Sequence, residues 1–295
     1  MIPPLKAALQ KDEAFIGDVR RGLSSKNSYL WWLGQSGFLI VQNGRAIVLD
    51  PYLSDSLTRK YSGTDKPHVR ITEKVVDPGL LGSIGAIDLL TSSHNHTDHF
   101  DPETLLPLLE ANPQARLVIP AANHHLALER LRPDLADRLI DLDHGQNVQL
   151  GPLEIHAIAS AHNTVERDEA GHCRFLGYVL KWRGLTIYHS GDTLRHDGLV
   201  PALKPFKVDL ALLPINGNRP ERRVAGNLNG SEAAQLAHAI GARCVVPCHY
   251  DMFEFNTASP DEFVSECKRL GQTYHLMRNG EGWDLHNRNS KAAED

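Results

Sequence analysis

Ser93-His94-Asn95-His96-Thr97-Asp98-His99 places three histidines and an aspartate within six consecutive positions, a density of nitrogen and oxygen donors that ordinary packing does not require. His94 and His96 are two apart, so on the extended end of a strand both side chains point to one face. Asp98 and His99 follow at once, where the chain would turn into a helix. Imidazole and carboxylate are donors that borderline divalent metals favour, so four groups can converge here on one or two ions. The flanks agree. Ala86-Ile87-Asp88-Leu89-Leu90-Thr91 reads as a short buried strand. Asp101-Pro102-Glu103-Thr104-Leu105-Leu106 opens like a helix, with an Asp cap, Pro at the first position and Glu in the first turn. A strand-to-helix loop is where an α/β sheet carries its active site. The competing reading, a histidine-rich surface loop that picks up metal adventitiously, ranks well behind.

Around this loop the chain is ordinary. Its 295 residues suffice for one large domain or two small ones, and 41% hydrophobic with 23% charged residues is a globular composition. A formal net charge of −5 offers no general attraction to nucleic acid. No signal-peptide pattern opens the chain and no apolar run is long enough to span a bilayer, so no membrane partner is expected. The cysteines, Cys173, Cys244, Cys248 and Cys267, are scattered without a CxxC pair, which suits reduced thiols in a cytoplasmic setting. Cys248 adjoins His249 and invites a ligand or nucleophile reading, but a buried strand-end thiol fits better.

The periodicity predicts an amphipathic helix from Leu5 to Leu23. Strand-like runs follow at Tyr29–Trp32, Gly37–Val41 and Ala46–Leu49, with Asn43-Gly44 as a hairpin turn. Beyond the histidines come a strand at Arg116–Ile119 and a helix from about His124 to Leu131. A second β-rich group covers Leu153–Ala159, Leu176–Trp182 and Leu185–His189. Then a strand at Asp209–Leu213, a helix at Ser231–Ile240 with Ser231 as its N-cap, a strand at Arg243–Val246 and a helix at Pro260–Leu270 alternate. Each half repeats the other in kind, so two sheets should lie face to face with helices outside. No linker divides the halves, so residues 1–295 read as one domain, with 1–28 a helical extension and 287–295 a polar, frayed tail.

Three further motifs sit at strand ends: Ser160-Ala161-His162-Asn163, Tyr188-His189-Ser190-Gly191-Asp192-Thr193 and Pro247-Cys248-His249-Tyr250-Asp251. Each alone is weak, since a lone His or Asp at a strand end is more often structural. Their order, HxHxDH, then H, then D, then H, resembles the metallo-β-lactamase superfamily from about Tyr29 to Asp284. The resemblance implies an α/β fold, a four-layer αββα sandwich with the metal site at the sheet edges. It implies that His94, His96 and His162 hold one metal, that Asp98, His99 and His249 hold a second, and that Asp192 bridges them. It places Asp50 behind the ligands as a supporting group. His189 is expected to be structural, and His124, His125, His144, His156, His172 and His196 fit no slot. Trp32-Leu33-Gly34-Gln35-Ser36-Gly37, Pro214-Ile215-Asn216-Gly217 and His249-Tyr250-Asp251 look like the branch containing the L-ascorbate-6-phosphate lactonases.

The expected chemistry is hydrolysis by a metal-bound hydroxide, since a metal held by neutral imidazoles lowers the pKa of its water towards ~7. Asp98 is the expected catalytic group, orienting the water and accepting its proton. The cofactor is one or two divalent ions, zinc or manganese, with iron also compatible. The substrate is expected to be a small anionic molecule, with a sugar-phosphate lactone as the example. Asn218, Arg219, Arg222 and Arg223, in a loop after the strand ending near Leu213, are candidate grips for its phosphate or carboxylate. A solvated surface loop is the equal alternative. The runner-up activity is a phosphodiesterase; from another class, the chain is a binding protein stapled by its metal. A homo-oligomer remains open.

Overall fold

Alternation along the strands builds two cores at once. In Ser28–Gly34 the side chains of Leu30 and Trp32 enter one apolar cluster and those of Trp31 and Leu33 the other. The neighbouring strands divide in the same way, Phe38 and Ile40 from Leu39 and Val41, Ile47 and Leu49 from Ala46 and Val48. Both faces of this sheet are therefore buried, one against a second sheet and one against helices, as the period of two requires.

The computed structural model describes residues 4–287. In its first half the order is α1 (Asp12–Ser24), β1 (Ser28–Gly34), β2 (Gly37–Gln42), β3 (Arg45–Leu49), α2 (Ser56–Lys60), α3 (Pro78–Gly82), β4 (Ile87–Thr91), α4 (Pro102–Ala111), β5 (Arg116–Pro120), α5 (His124–Arg130) and β6 (Leu139–Leu142). The second half runs β7 (Asn147–Leu150), β8 (Leu153–Ala159), β9 (Leu176–Trp182), β10 (Leu185–His189), α6 (Leu199–Leu203), β11 (Leu210–Pro214), α7 (Gly230–Ile240), β12 (Cys244–Cys248), α8 (Asp261–Leu270) and β13 (Gly282–Asp284).

The first sheet has the order β13-β1-β2-β3-β4-β5-β6 and the second β12-β11-β10-β9-β8-β7. In each, an antiparallel meander passes into parallel strands: β3 to β6 in the first, β10 to β12 in the second. Two mixed sheets with helices outside are the sandwich anticipated from the sequence. The parallel strands matter for function, because they deliver their C-terminal ends to one edge.

Several local expectations are corrected. The N-terminal helix begins at Asp12, not Leu5, because the preceding segment is claimed by backbone pairing: Lys6 N donates to Ile71 O at 2.8 Å and Glu73 N to Lys6 O at 2.9 Å. The helix packs on its own core, with Phe15, Ile16 and Val19 fully buried, each contributing roughly 1.5–3 kcal/mol. Helix α7 is capped by Asn229 rather than Ser231. Asn229 Oδ1 accepts from Glu232 N at 2.8 Å while the Glu232 carboxylate accepts from Asn229 N at 2.9 Å, a reciprocal pair that satisfies two free amides. Strands β6, β7 and β13 were not anticipated. The expected tail lies, beyond Asn287, outside the described residues. Among the described residues no helix is long and apolar enough to cross a membrane, and all four cysteines are free and buried.

Candidate metal centre

Four strand ends assemble the site. Strand β4 ends at Thr91, so His94 and His96 come from a turn rather than from continued strand. That turn is closed by His99 N on His96 O (3.0 Å) and Phe100 N on the same oxygen (2.7 Å), which sets the His94 and His96 ring centroids 4.5 Å apart. His162 follows β8, Asp192 follows β10 and His249 follows β12. Gly191 lets the Asp192 segment approach: its φ is 57°, and a Cβ there would collide with the Ser93 side chain. Asp50 (φ 39°), Gln35 (φ 50°) and His249 (φ 63°) also sit in the left-handed region, which for such residues costs energy that the surrounding contacts must hold.

The donors converge in three overlapping sets: His94, His96 and His162; His94, His99 and Asp192; Asp98, His99 and His249, with the chosen donor atoms of each set within 4.8 Å of one another. Asp192 stands between the clusters, its Oδ2 lying 3.6 Å from His162 Nε2 and 3.4 Å from His249 Nε2. His99 Nε2 lies 3.3 Å from Asp192 Oδ1, yet neither atom is aligned on a hydrogen-bond partner. His94 Nε2 is likewise buried without one among the described residues. A buried polar atom left unpaired costs about 1–3 kcal/mol, and three of them aimed into one cluster of imidazoles and carboxylates fit a divalent cation.

Behind the donors a hydrogen-bond layer fixes which nitrogen faces the cluster. His162 Nδ1 donates to Gly226 O (2.8 Å), and His99 Nδ1 donates to Asp50 Oδ2 (2.8 Å), leaving each Nε2 for the centre. Asp50 is fully buried and accepts from Ser93 N at 3.1 Å, from Thr91 Oγ1 at 2.9 Å and from Ser93 Oγ. Burial opposes its charge, but His189, His99 and Ser93 outweigh that and hold its carboxyl below the usual range.

Charge divides the cluster. Burial, then the neighbouring imidazoles, pushes His94 well down and His96 to about 4, so both are neutral donors with a free lone pair. His99 and His249 go the other way: burial opposes their charge, but Asp192 and Asp98 outweigh it, raising His249 to about 9. The Asp98 and Asp192 carboxyls are held well below the usual carboxylate range, burial opposing their charge and the His99 and His249 imidazoles outweighing it. On an imidazole nitrogen a metal competes with the proton for the same lone pair.

Gln35 was missed as a site residue, although its phrase was singled out. Its Nε2 donates to Asp98 Oδ2 at 2.9 Å, and its backbone oxygen accepts from His249 N (2.9 Å) and Trp32 Nε1 (3.0 Å). His144 and His196, given no role from sequence, brace the end of β8 on the two sides of Ala159: His144 Nδ1 accepts from Ala159 N and His196 Nε2 donates to Ala159 O. His189 is buried between the sheets with Nε2 donating to Ser36 O at 2.9 Å. Cys248 is buried and desolvation pushes its thiol well up, so it carries no thiolate.

The centre floors a cavity of about 460 Å³ whose rim includes Lys60, Lys66, His68, Arg130 and Arg223. Of the four residues expected to grip an anion, only Arg223 borders it. Arg222 instead staples the loop, donating to Asn216 O (2.6 Å), Asn256 Oδ1 (3.2 Å) and Thr257 O (2.9 Å). Arg219 is exposed, and the Asn218 side chain lies over Gly226.

The sequence matches the family described as Beta-lactamase superfamily domain over residues 29–249. It is 27% identical over 260 residues to a UPF0173 metal-dependent hydrolase of Caldivirga maquilingensis, covering 87% of this chain and 98% of that one. It is 24% identical to a probable L-ascorbate-6-phosphate lactonase of Escherichia coli, covering 79% and 72%. In fold it is similar to an isothiocyanate hydrolase from Delia radicum gut bacteria, with a TM-score of 0.66, 18% identity and coverage of 87% and 99%. With three-quarters of its length matched, including every donor of the cluster, the chain belongs to the beta-lactamase superfamily.

Proposed function

We propose that this metal-dependent hydrolase acts on a small anionic substrate, a phosphorylated lactone being the class that fits best. The observation that carries the reading is the pairing of a carboxylate–imidazole metal cluster with a cationic rim on one small cavity. A volume of about 460 Å³ suits a compact metabolite rather than a polymer. Three rim cations are bonded to neutral acceptors and have no ion-pair partner among the described residues: Lys60 Nζ to Thr97 Oγ1 (3.1 Å), Lys66 Nζ to Arg223 O (2.6 Å) and Arg130 Nη1 to Asn95 O (2.6 Å). The lactonase named among the relatives agrees with that charge pattern.

A bound divalent ion supplies Lewis acidity and brings the pKa of water towards ~7. His94, His96 and His162 would hold one ion, Asp98, His99 and His249 a second, with Asp192 shared. Asp98, anchored through Oδ2 by Gln35, orients the attacking water and takes its proton on Oδ1. Asp50 keeps the His99 ring in the tautomer that presents Nε2. Arg223 and Lys66 hold the substrate's anionic group at the rim.

The test is elemental analysis of the purified protein paired with a hydrolysis screen of the same preparation. One or two ions per chain, with turnover of phosphorylated lactones, is the expected result. Turnover of bis-p-nitrophenyl phosphate instead would make the protein a phosphodiesterase. Stoichiometric metal without turnover of any ester would leave a metal-stapled binding protein.

A further inference from the structure

The end of the sandwich away from the metal centre is not sealed. A cleft of about 360 Å³ opens between the two sheets there. Its floor is the margin of the inter-sheet core, the buried Ile47 and Leu89 from the first sheet and Leu153 and Trp182 from the second. Its rim carries Arg45, Arg116 and Arg183. Strands β3 and β4 are five residues long, so at ~3.3 Å per residue the cleft lies about 15 Å from the metal donors at their other ends.

The charges do not cancel. Asp88 is the acidic residue of this cleft, and Arg45 already holds it in an ion pair. Arg116 makes only a 3.4 Å contact from Nε to Arg138 O, and neither Arg116 nor Arg183 has an ion-pair partner among the described residues. Arg183 is presented by the β9–β10 turn, where it (φ 47°) and Gly184 (φ 84°) are both left-handed, as a tight two-residue hairpin demands. Two guanidinium groups without an ion-pair partner among the described residues thus line one apolar slot of ligand size.

We propose that this cleft binds an amphipathic anion, a carboxylate on an apolar chain of about eight to ten carbons, with the chain between the sheets and the carboxylate between Arg116 and Arg183. The chain covers Leu153 and the Trp182 indole, and the carboxylate accepts from both guanidinium groups.

Decanoate is the probe, with acetate and decanol as controls, on the metal-loaded protein. The expected result is saturable binding with a dissociation constant of about 0.1 mM or tighter, no binding of acetate, and at least about ten-fold weaker binding of decanol. Binding read by calorimetry should survive in Trp182→Phe, while the tryptophan fluorescence response is lost. The double variant Arg116→Gln/Arg183→Asn should weaken decanoate about ten-fold with metal content and hydrolysis unchanged; asparagine suits the left-handed site. Single variants at each arginine guard against misfolding of the pair. No saturable binding below micelle formation, equal affinity for decanol, or a fluorescence response that persists in Trp182→Phe overturns the proposal. So does sedimentation showing an oligomer that the double variant dissociates, which would assign the face to a second copy of this chain.

Discussion

The histidine loop, 92–101, and the arginine loop, 216–229, border the same cavity, yet they are held in opposite ways. In the first, buried groups do the holding: Asp50 and His99 are fully buried and paired, and Ser93 bridges them through backbone and hydroxyl. In the second, Arg222 staples backbone oxygens while Arg223, largely exposed, meets the exposed Asp65. Charge-assisted bonds keep their strength where water is excluded and lose most of it where water competes. The donors of the first loop are therefore held by bonds that water does not weaken, while Arg223 of the second is held by one that it does.

The largest effect should come from the first loop. His94→Ala removes a donor shared by two of the three sets and should lower turnover by about 10³-fold or more, with metal content falling in parallel. Full activity in a metal-free His94→Ala protein would break the ligand assignment. Asp50→Asn sits one step back. It leaves every donor in place but loosens the His99 ring, so metal affinity should fall about 10–100-fold, and excess metal should restore much of the turnover. If titration with zinc or manganese shows unchanged affinity, the buried carboxylate is merely a structural partner of Ser93 and Thr91.

The contrast also explains what the sequence could tell. The histidine loop is legible because metal ligation packs its donors into adjacent positions, so residue types alone betray it. Gln35 is not, because its role depends on a left-handed backbone and on reaching His249, 214 positions away. Strands β1 to β5 and β8 to β12 announce themselves by apolar runs that must be buried. Asn147–Leu150 is an edge strand with alternately exposed residues, and Gly282–Asp284 is three half-buried residues recruited by β1 through pairing. Neither carries enough apolar content to show a period. For the arginines, composition predicts charge but not direction: neighbours in sequence, Arg222 turns to oxygens of Asn216, Asn256 and Thr257 and Arg223 to the rim.

That last pair sharpens the comparison further. Arg222→Ala removes donors to Asn216, Asn256 and Thr257, which should cost about 1–3 kcal/mol, and melting should shift down by roughly 2–10 °C. Because Asn216 pairs with Asn227 and Gly226 O receives His162 Nδ1, the freed loop should also loosen the metal centre from behind. A variant with unchanged melting would mean that the loop's backbone holds itself.

Arg223→Ala should do the reverse, and its effect is the smallest. An ion pair this exposed contributes little to folding, so melting should move by no more than about 0.5 kcal/mol in stability terms. What changes is substrate binding: KM for a phosphorylated substrate should rise about ten-fold while kcat and the metal content stay put. Asp65→Asn provides the opposing arm. It frees the guanidinium from its resident carboxylate, so KM for the same substrate should fall about two- to three-fold, with a neutral ester unaffected by either change. Were both variants to shift neutral and phosphorylated substrates alike, Arg223 would be shaping the cavity wall rather than reading charge, and the anion would have to be held by the other rim cations, Lys60, Lys66 and Arg130.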